Sequence, residues 1–128
     1  MVKKMYNELI NVVRNIVKIA NEREKIEDGK LYSVNEIDDF FDPCDDKIND
    51  ILMGLDLEQI MAIQTIMYLG RDKDYNPKLT SDEIFNDYKK YIESKGIKTK
   101  TIEARQIVEK GPLAEYLIEG YRILGINL

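Results

Sequence analysis

The segment Leu57–Leu69, LEQIMAIQTIMYL, constrains this chain more than any other. Apolar residues occupy nearly every side of it at helical spacing, and a helix with no polar face belongs at the centre of a domain. Its start is equally marked. Asp56 stands as an N-cap, Gln59 takes the capping-box position three residues on, and Leu55 and Ile60 are spaced as a hydrophobic staple. Gly70 is expected to end the helix as its left-handed cap. The rest of the chain must wrap around it.

The remaining pattern is helical too. Met5, Leu9, Val12, Val13, Ile16, Val17 and Ala20 form one stripe of a helix from about Lys3 to Lys25, stopped by Asp28-Gly29. Ser33 and Glu36 make a capping box that opens a short helix through Phe40 and Phe41. Pro43 disfavours helical geometry at Asp42, so a break is expected there. A further helix brings Ile48, Ile51 and Leu52 to the core and stops near Gly54. Thr80 and Glu83 form another capping box, for a helix to about Lys95 that Gly96 ends. Ile102–Lys110 is the next helix. Gly111-Pro112 breaks it and places Pro112 at the first position of the last one, which carries Leu113, Tyr116, Leu117, Tyr121 and Leu124. No segment alternates with period two for long. The expected architecture is all-α: one domain, residues 1–128, a compact bundle of six or seven helices around Leu57–Leu69.

Composition narrows the function. The 128 residues contain no His, which removes Ser-His and Cys-His nucleophile pairs and His-ligated metals. The net charge of −5 does not suit direct nucleic-acid binding, since phosphate affinity needs a basic surface. That charge is uneven. Glu27–Glu58 carries eleven acidic and two basic residues, a net of −9, and the remainder carries +4. The ladder Glu36, Asp39, Asp42, Asp46 and Asp50 lies in this stretch and is the expected acidic binding face. Cys44, the only cysteine, forms no internal disulfide, and its acidic neighbours Asp42, Asp45 and Asp46 should raise its thiol pKa. A reducing cytoplasm is the expected compartment. Leu9–Ala20 is interrupted by Asn11, Arg14, Asn15 and Lys18, short of the ~20 apolar residues of a membrane span. No cofactor site is expected.

Two motifs stand against the reading of a non-catalytic surface. Asp72, Asp74, Asn76, Thr80 and Glu83 fall at positions one, three, five, nine and twelve of a calcium-binding EF-hand loop. The sixth position must turn through positive φ and holds Pro77, whose ring forbids it. The same residues make a turn and a helix cap. Glu24/Glu27 and Glu36/Asp39 have the spacing of the paired acidic motifs by which small all-α nucleotide pyrophosphatases hold Mg²⁺. Only eight residues separate the pairs, with Gly29 in the gap, so two facing helices are hard to build.

Two stretches carry a family likeness. One is Met67-Tyr68-Leu69-Gly70-Arg71-Asp72-Lys73-Asp74 followed by Asn76-Pro77. The other is Gly111-Pro112-Leu113-Ala114-Glu115-Tyr116-Leu117 with Glu119-Gly120. Together they resemble a family of small bacterial proteins catalogued as domain-of-unknown-function family number 3775. Its pattern pairs a helix ending in Gly-Arg-Gly-Asp with a Pro-Leu-Leu-Ala-Asp-Tyr-Leu-Glu-Glu-Gly element. Lys73 and Asp74 depart from the first, and one Leu is missing from the second. The resemblance spans roughly Leu57–Gly125 and implies a small all-α module without a stated activity. It adds Arg71 and Asp72 to the candidate binding residues.

The functional expectation is a non-catalytic interaction or regulatory module with a protein partner. The alternatives are an acidic decoy for a nucleic-acid-handling protein and an Mg²⁺-dependent pyrophosphatase-like hydrolase. The first helix is longer than its own core needs, and its apolar stripe is wider than one packing seam. A homodimer is therefore expected, with Ile10, Val13, Val17 and Tyr121 at the interface.

Overall fold

The structure, a computed structural model, describes residues 5–29 and 34–128, with segments 24–29 and 34–42 described through their backbone alone. It is an all-α bundle: α1 (Met5–Glu8), α2 (Ile10–Gly29), α3 (Val34–Met53), α4 (Leu57–Asp72), α5 (Ser81–Glu93), α6 (Lys100–Val108) and α7 (Leu113–Ile123). No strand occurs among the described residues, and no helix is long and apolar enough to cross a membrane. The expected first helix is two, joined at Leu9, whose backbone still bonds to Met5 O and to Val13 N.

α4 is the axis of the bundle. Ten of its residues are buried, among them Ile60, Met61, Ile63, Ile66, Met67 and Leu69. Asp56 caps it by accepting from the Gln59 amide at 2.8 Å, and Gln59 Oε1 accepts from the Asp56 amide at 3.0 Å. The reading of its end was wrong by three residues. α4 runs on to Asp72, and the left-handed position is Lys73, at φ 55°. Gly70 serves the crossing with α7 instead. A Cβ there would lie 1.8 Å from the Tyr116 carbonyl oxygen, and a Cβ on Gly120 would lie 2.1 Å from that of Ile66. The two helices touch backbone to backbone, which only glycine permits. Gly70 and Gly120 belong to the two stretches that carry the family likeness, so those stretches meet here.

Three other expectations need correction. α3 passes through Pro43 without the break foreseen at Asp42. A proline inside a helix removes one hydrogen bond and bends it, and burial of Cys44, Ile48 and Leu52 holds the turns beyond. Ser33, the expected cap, lies outside the described residues. Pro112 sits at the N-cap of α7, one residue before the expected position. Two of the expected dimer contacts, Val13 and Tyr121, are the third correction. Val13 and Tyr121 are fully buried within the chain, Val17 is buried and Ile10 half-buried, because α2 packs on α3 with one flank and on α7 with the other. The wide stripe of α2 meets two helices of its own chain.

Two buried polar links fasten the bundle. The Tyr121 hydroxyl donates to the Tyr6 carbonyl at 2.7 Å. The Arg23 guanidinium, 5% exposed, donates to Val108 O at 2.8 Å, Lys110 O at 2.7 Å and Asp45 Oδ1 at 2.8 Å. It thereby takes up carbonyls left open where α6 ends.

Candidate functional site

One face of α4 is not closed by apolar packing. Met61, Gln64, Tyr68 and Arg71 recur at three- and four-residue steps and form one wall of a cleft of about 280 Å³. The opposite wall comes from Ile92 near the end of α5, the connection through Lys95, Gly96 and Lys98, and Glu103 and Gln106 of α6. Gly96 turns the chain at φ 95°, a conformation that disfavours a side chain although space is open around it. Thr99 then caps α6 by accepting from the Ile102 amide.

The floor of the cleft is polar and buried. Glu103 is 3% exposed and Gln64 2%. Gln64 Nε2 donates to Glu103 Oε1 at 3.0 Å and to the Glu103 carbonyl at 3.1 Å, and the Lys98 amide donates to Glu103 Oε2 at 2.8 Å. Because both partners of Gln64 are acceptors, its amide orientation is fixed. Its Oε1 consequently has no donor among the described residues. No basic side chain pairs with the Glu103 carboxylate among them either. Buried carboxylates in folded proteins ordinarily have a cation beside them.

Cations line the mouth. Arg71, Lys95 and Lys98 are exposed there. The Arg71 guanidinium lies 4.4 Å from the Tyr68 ring centre, with Lys110 Nζ 5.3 Å from the same ring, and Lys95 Nζ lies 4.6 Å from the Tyr91 ring. Arg71 Nε donates to Asp72 Oδ1 at 2.7 Å, and the Tyr88 hydroxyl donates to Asp72 Oδ2. Burial pushes the Asp72 carboxyl up, but the bonds from Arg71 and Tyr88 outweigh it and hold the group below its ordinary value. Burial, then the bond to Asp72, pushes the Tyr88 hydroxyl well up. A second hollow, of about 400 Å³, is walled by Tyr75, Tyr88 and Tyr91, and its carboxylates Asp74 and Asp87 are solvated.

Of the expected binding residues, Arg71 lines the cleft and Asp72 steadies it. Asp46 and Asp50 are exposed on α3 and take no part in the cleft. The side chains of Glu36, Asp39 and Asp42, like Glu24 and Glu27, lie outside those described. The EF-hand positions are engaged locally: Asp72 as above, Asn76 Oδ1 with the Lys78 amide, and Glu83 Oε1 with the Thr80 amide. Among the described residues no group of three or more His, Cys, Asp or Glu side chains could hold a metal. The Cys44 thiol is raised as expected, but burial is the main cause and Glu22 the next, with Asp45 a minor one. Sequence reading missed Gln64 and Glu103. The signal available was a pair of polar residues, Gln64-Thr65, in the middle of the most apolar helix. Thr65 spends its hydroxyl on the Met61 carbonyl, whereas Gln64 reaches outward to α6. No family model matches the chain, and neither a curated protein nor a solved structure matches it.

Proposed function

We propose that this chain is a non-catalytic regulatory or adaptor module that recognises its ligand or partner in the cleft between α4 and the α5–α6 connection. The observation that carries the reading is the cleft's construction, a cationic rim over a buried floor whose Gln64 oxygen has no donor among the described residues. Buried polar groups are ordinarily satisfied, and a protein that leaves one open over a cavity has room for something that satisfies it. The buried lone thiol of Cys44 supports a reducing compartment such as the cytoplasm. Kinship with the family of number 3775 is proposed on the same footing, supported by the meeting of its two motif stretches at Gly70 and Gly120.

The test is a nuclear magnetic resonance screen of charged and zwitterionic small molecules against the labelled protein, run beside a hydrolysis assay on nucleotides with Mg²⁺ or Mn²⁺. Shifts converging on Gln64, Arg71, Lys98 and Glu103 without turnover support the module. Shifts elsewhere, or metal-dependent turnover, overturn it. Exposed Asp46 and Asp50 favour a second reading, in which α3 offers its carboxylates to a basic groove of a nucleic-acid-handling protein. Such a complex should dissociate steeply with salt, and complexes of this chain that are indifferent to salt exclude it.

A further inference from the structure

The two ends of the cleft ask for opposite charges. At the floor, among the described residues, Gln64 Oε1 lacks a donor, and the Glu103 carboxylate, buried and held by two neutral donors, lacks a cation. At the rim stand three cations. Arg71 pairs with Asp72 and Lys95 acts on the same carboxylate, while Lys98 has no ion partner among the described residues. An anion alone would answer the rim and leave the floor as it is, facing its own repulsion from Glu103. An amine alone would answer the floor and have to pass three positive charges to reach it.

We infer that the cleft binds a small zwitterion, its ammonium on Glu103 and Gln64 and its carboxylate or phosphate on Arg71, Lys95 and Lys98. This rests on the proposed role of the cleft and adds the ligand's chemistry. The ammonium supplies the donor that Gln64 Oε1 lacks and the charge that Glu103 lacks, and the rim receives the acid group in a charge-assisted contact. Spacing sets the ligand's length. Gln64 and Arg71 stand seven residues apart, about 10 Å along the helix at 1.5 Å per residue, and their long side chains close part of that span. The two charges of the ligand are therefore several bonds apart. An ω-amino acid and a phosphorylated amino alcohol both have that form, and the cavity of about 280 Å³ admits either.

Titration calorimetry with five probes tests this: 4-aminobutyrate, phosphoethanolamine, butylamine, butyrate and inorganic phosphate. At least one of the two zwitterions should bind saturably, and the three probes with charge of a single sign should bind at least tenfold more weakly. Which zwitterion is preferred identifies the acid group as carboxylate or phosphate. Glu103→Gln should weaken zwitterion binding at least tenfold with the unfolding temperature monitored alongside. Should that variant fail to fold, Lys98→Ala, at an exposed side chain, should still weaken it several-fold. Butyrate or phosphate binding as tightly as its zwitterion overturns the inference and leaves the cleft a plain anion site. Silence from all five probes also overturns it. Silence from the wider resonance screen as well would take the proposed cleft with it.

Discussion

The two flanks of α4 are built on opposite principles. Where α4 crosses α7, side chains are removed until backbones touch at Gly70 and Gly120, and nothing is left to adjust. Where it faces α5 and α6, long polar side chains line an open cleft, and two hydrogen bonds from Gln64 to Glu103 tie its floor. One helix thus carries a fixed contact and an open one, and the fixed contact holds Gln64, Tyr68 and Arg71 in register for the other. Rigidity behind a binding surface keeps its geometry at low entropic cost.

The sharpest way to break this contrast is to add one methyl group at the crossing. Gly70→Ala or Gly120→Ala should cost about 3 kcal/mol or more, since a carbonyl oxygen occupies the space and backbone cannot swing aside. Gly96→Ala, on the cleft side, should cost only about 1 kcal/mol, because its strain is conformational and the space is free. Denaturant unfolding of the three variants measures the difference directly. Arg23→Ala comes next, at about 3 kcal/mol, because the buried Val108 carbonyl and its neighbour Lys110 O lose their donor together.

A smaller effect belongs to the cleft itself. Glu103→Ala should cost about 2 kcal/mol and, more tellingly, speed hydrogen exchange at the Lys98 amide, with the α4–α7 amides unchanged. The smallest is a pH effect at Asp72, whose carboxyl is held below its ordinary 3.8. The folded state binds that proton less tightly than the unfolded chain does. The bridge therefore stabilises fully above about pH 4 and fades as pH falls through the lowered value. For so exposed a group the gain is under about 1 kcal/mol. Asp72→Asn should lower stability at neutral pH by that amount, leave strongly acid pH nearly unaffected, and so flatten the acid limb of the stability curve.

What could be read in the sequence was what neighbours in the chain decide. Asp56 with Gln59 and Thr80 with Glu83 cap their helices as their spacing dictates, because each bond spans three residues. Gly70 shows the limit. A glycine near a helix end looks like a cap from its neighbours alone, and only the arrival of α7 some fifty residues later reveals the crossing. The same limit hid the floor of the cleft, since Gln64 and Glu103 are 39 residues apart. Arg71 was legible through its motif, while the partners of the α2 stripe were not. Counting apolar positions gave the width of that stripe correctly, yet the width could not tell α3 and α7 from a second copy of the chain.

The bond from the Tyr121 hydroxyl to the Tyr6 carbonyl joins residues 115 positions apart. During synthesis at roughly 5–20 residues per second, the acceptor therefore waits on the order of ten seconds for its donor to be made. α7 covers part of α2 as well as α4, so the side of α2 that it covers remains open throughout that interval. The vulnerable form of this protein is the nascent chain still short of its last helix, and a chaperone that grips apolar segments would find α2 on offer until the ribosome has passed residue 121.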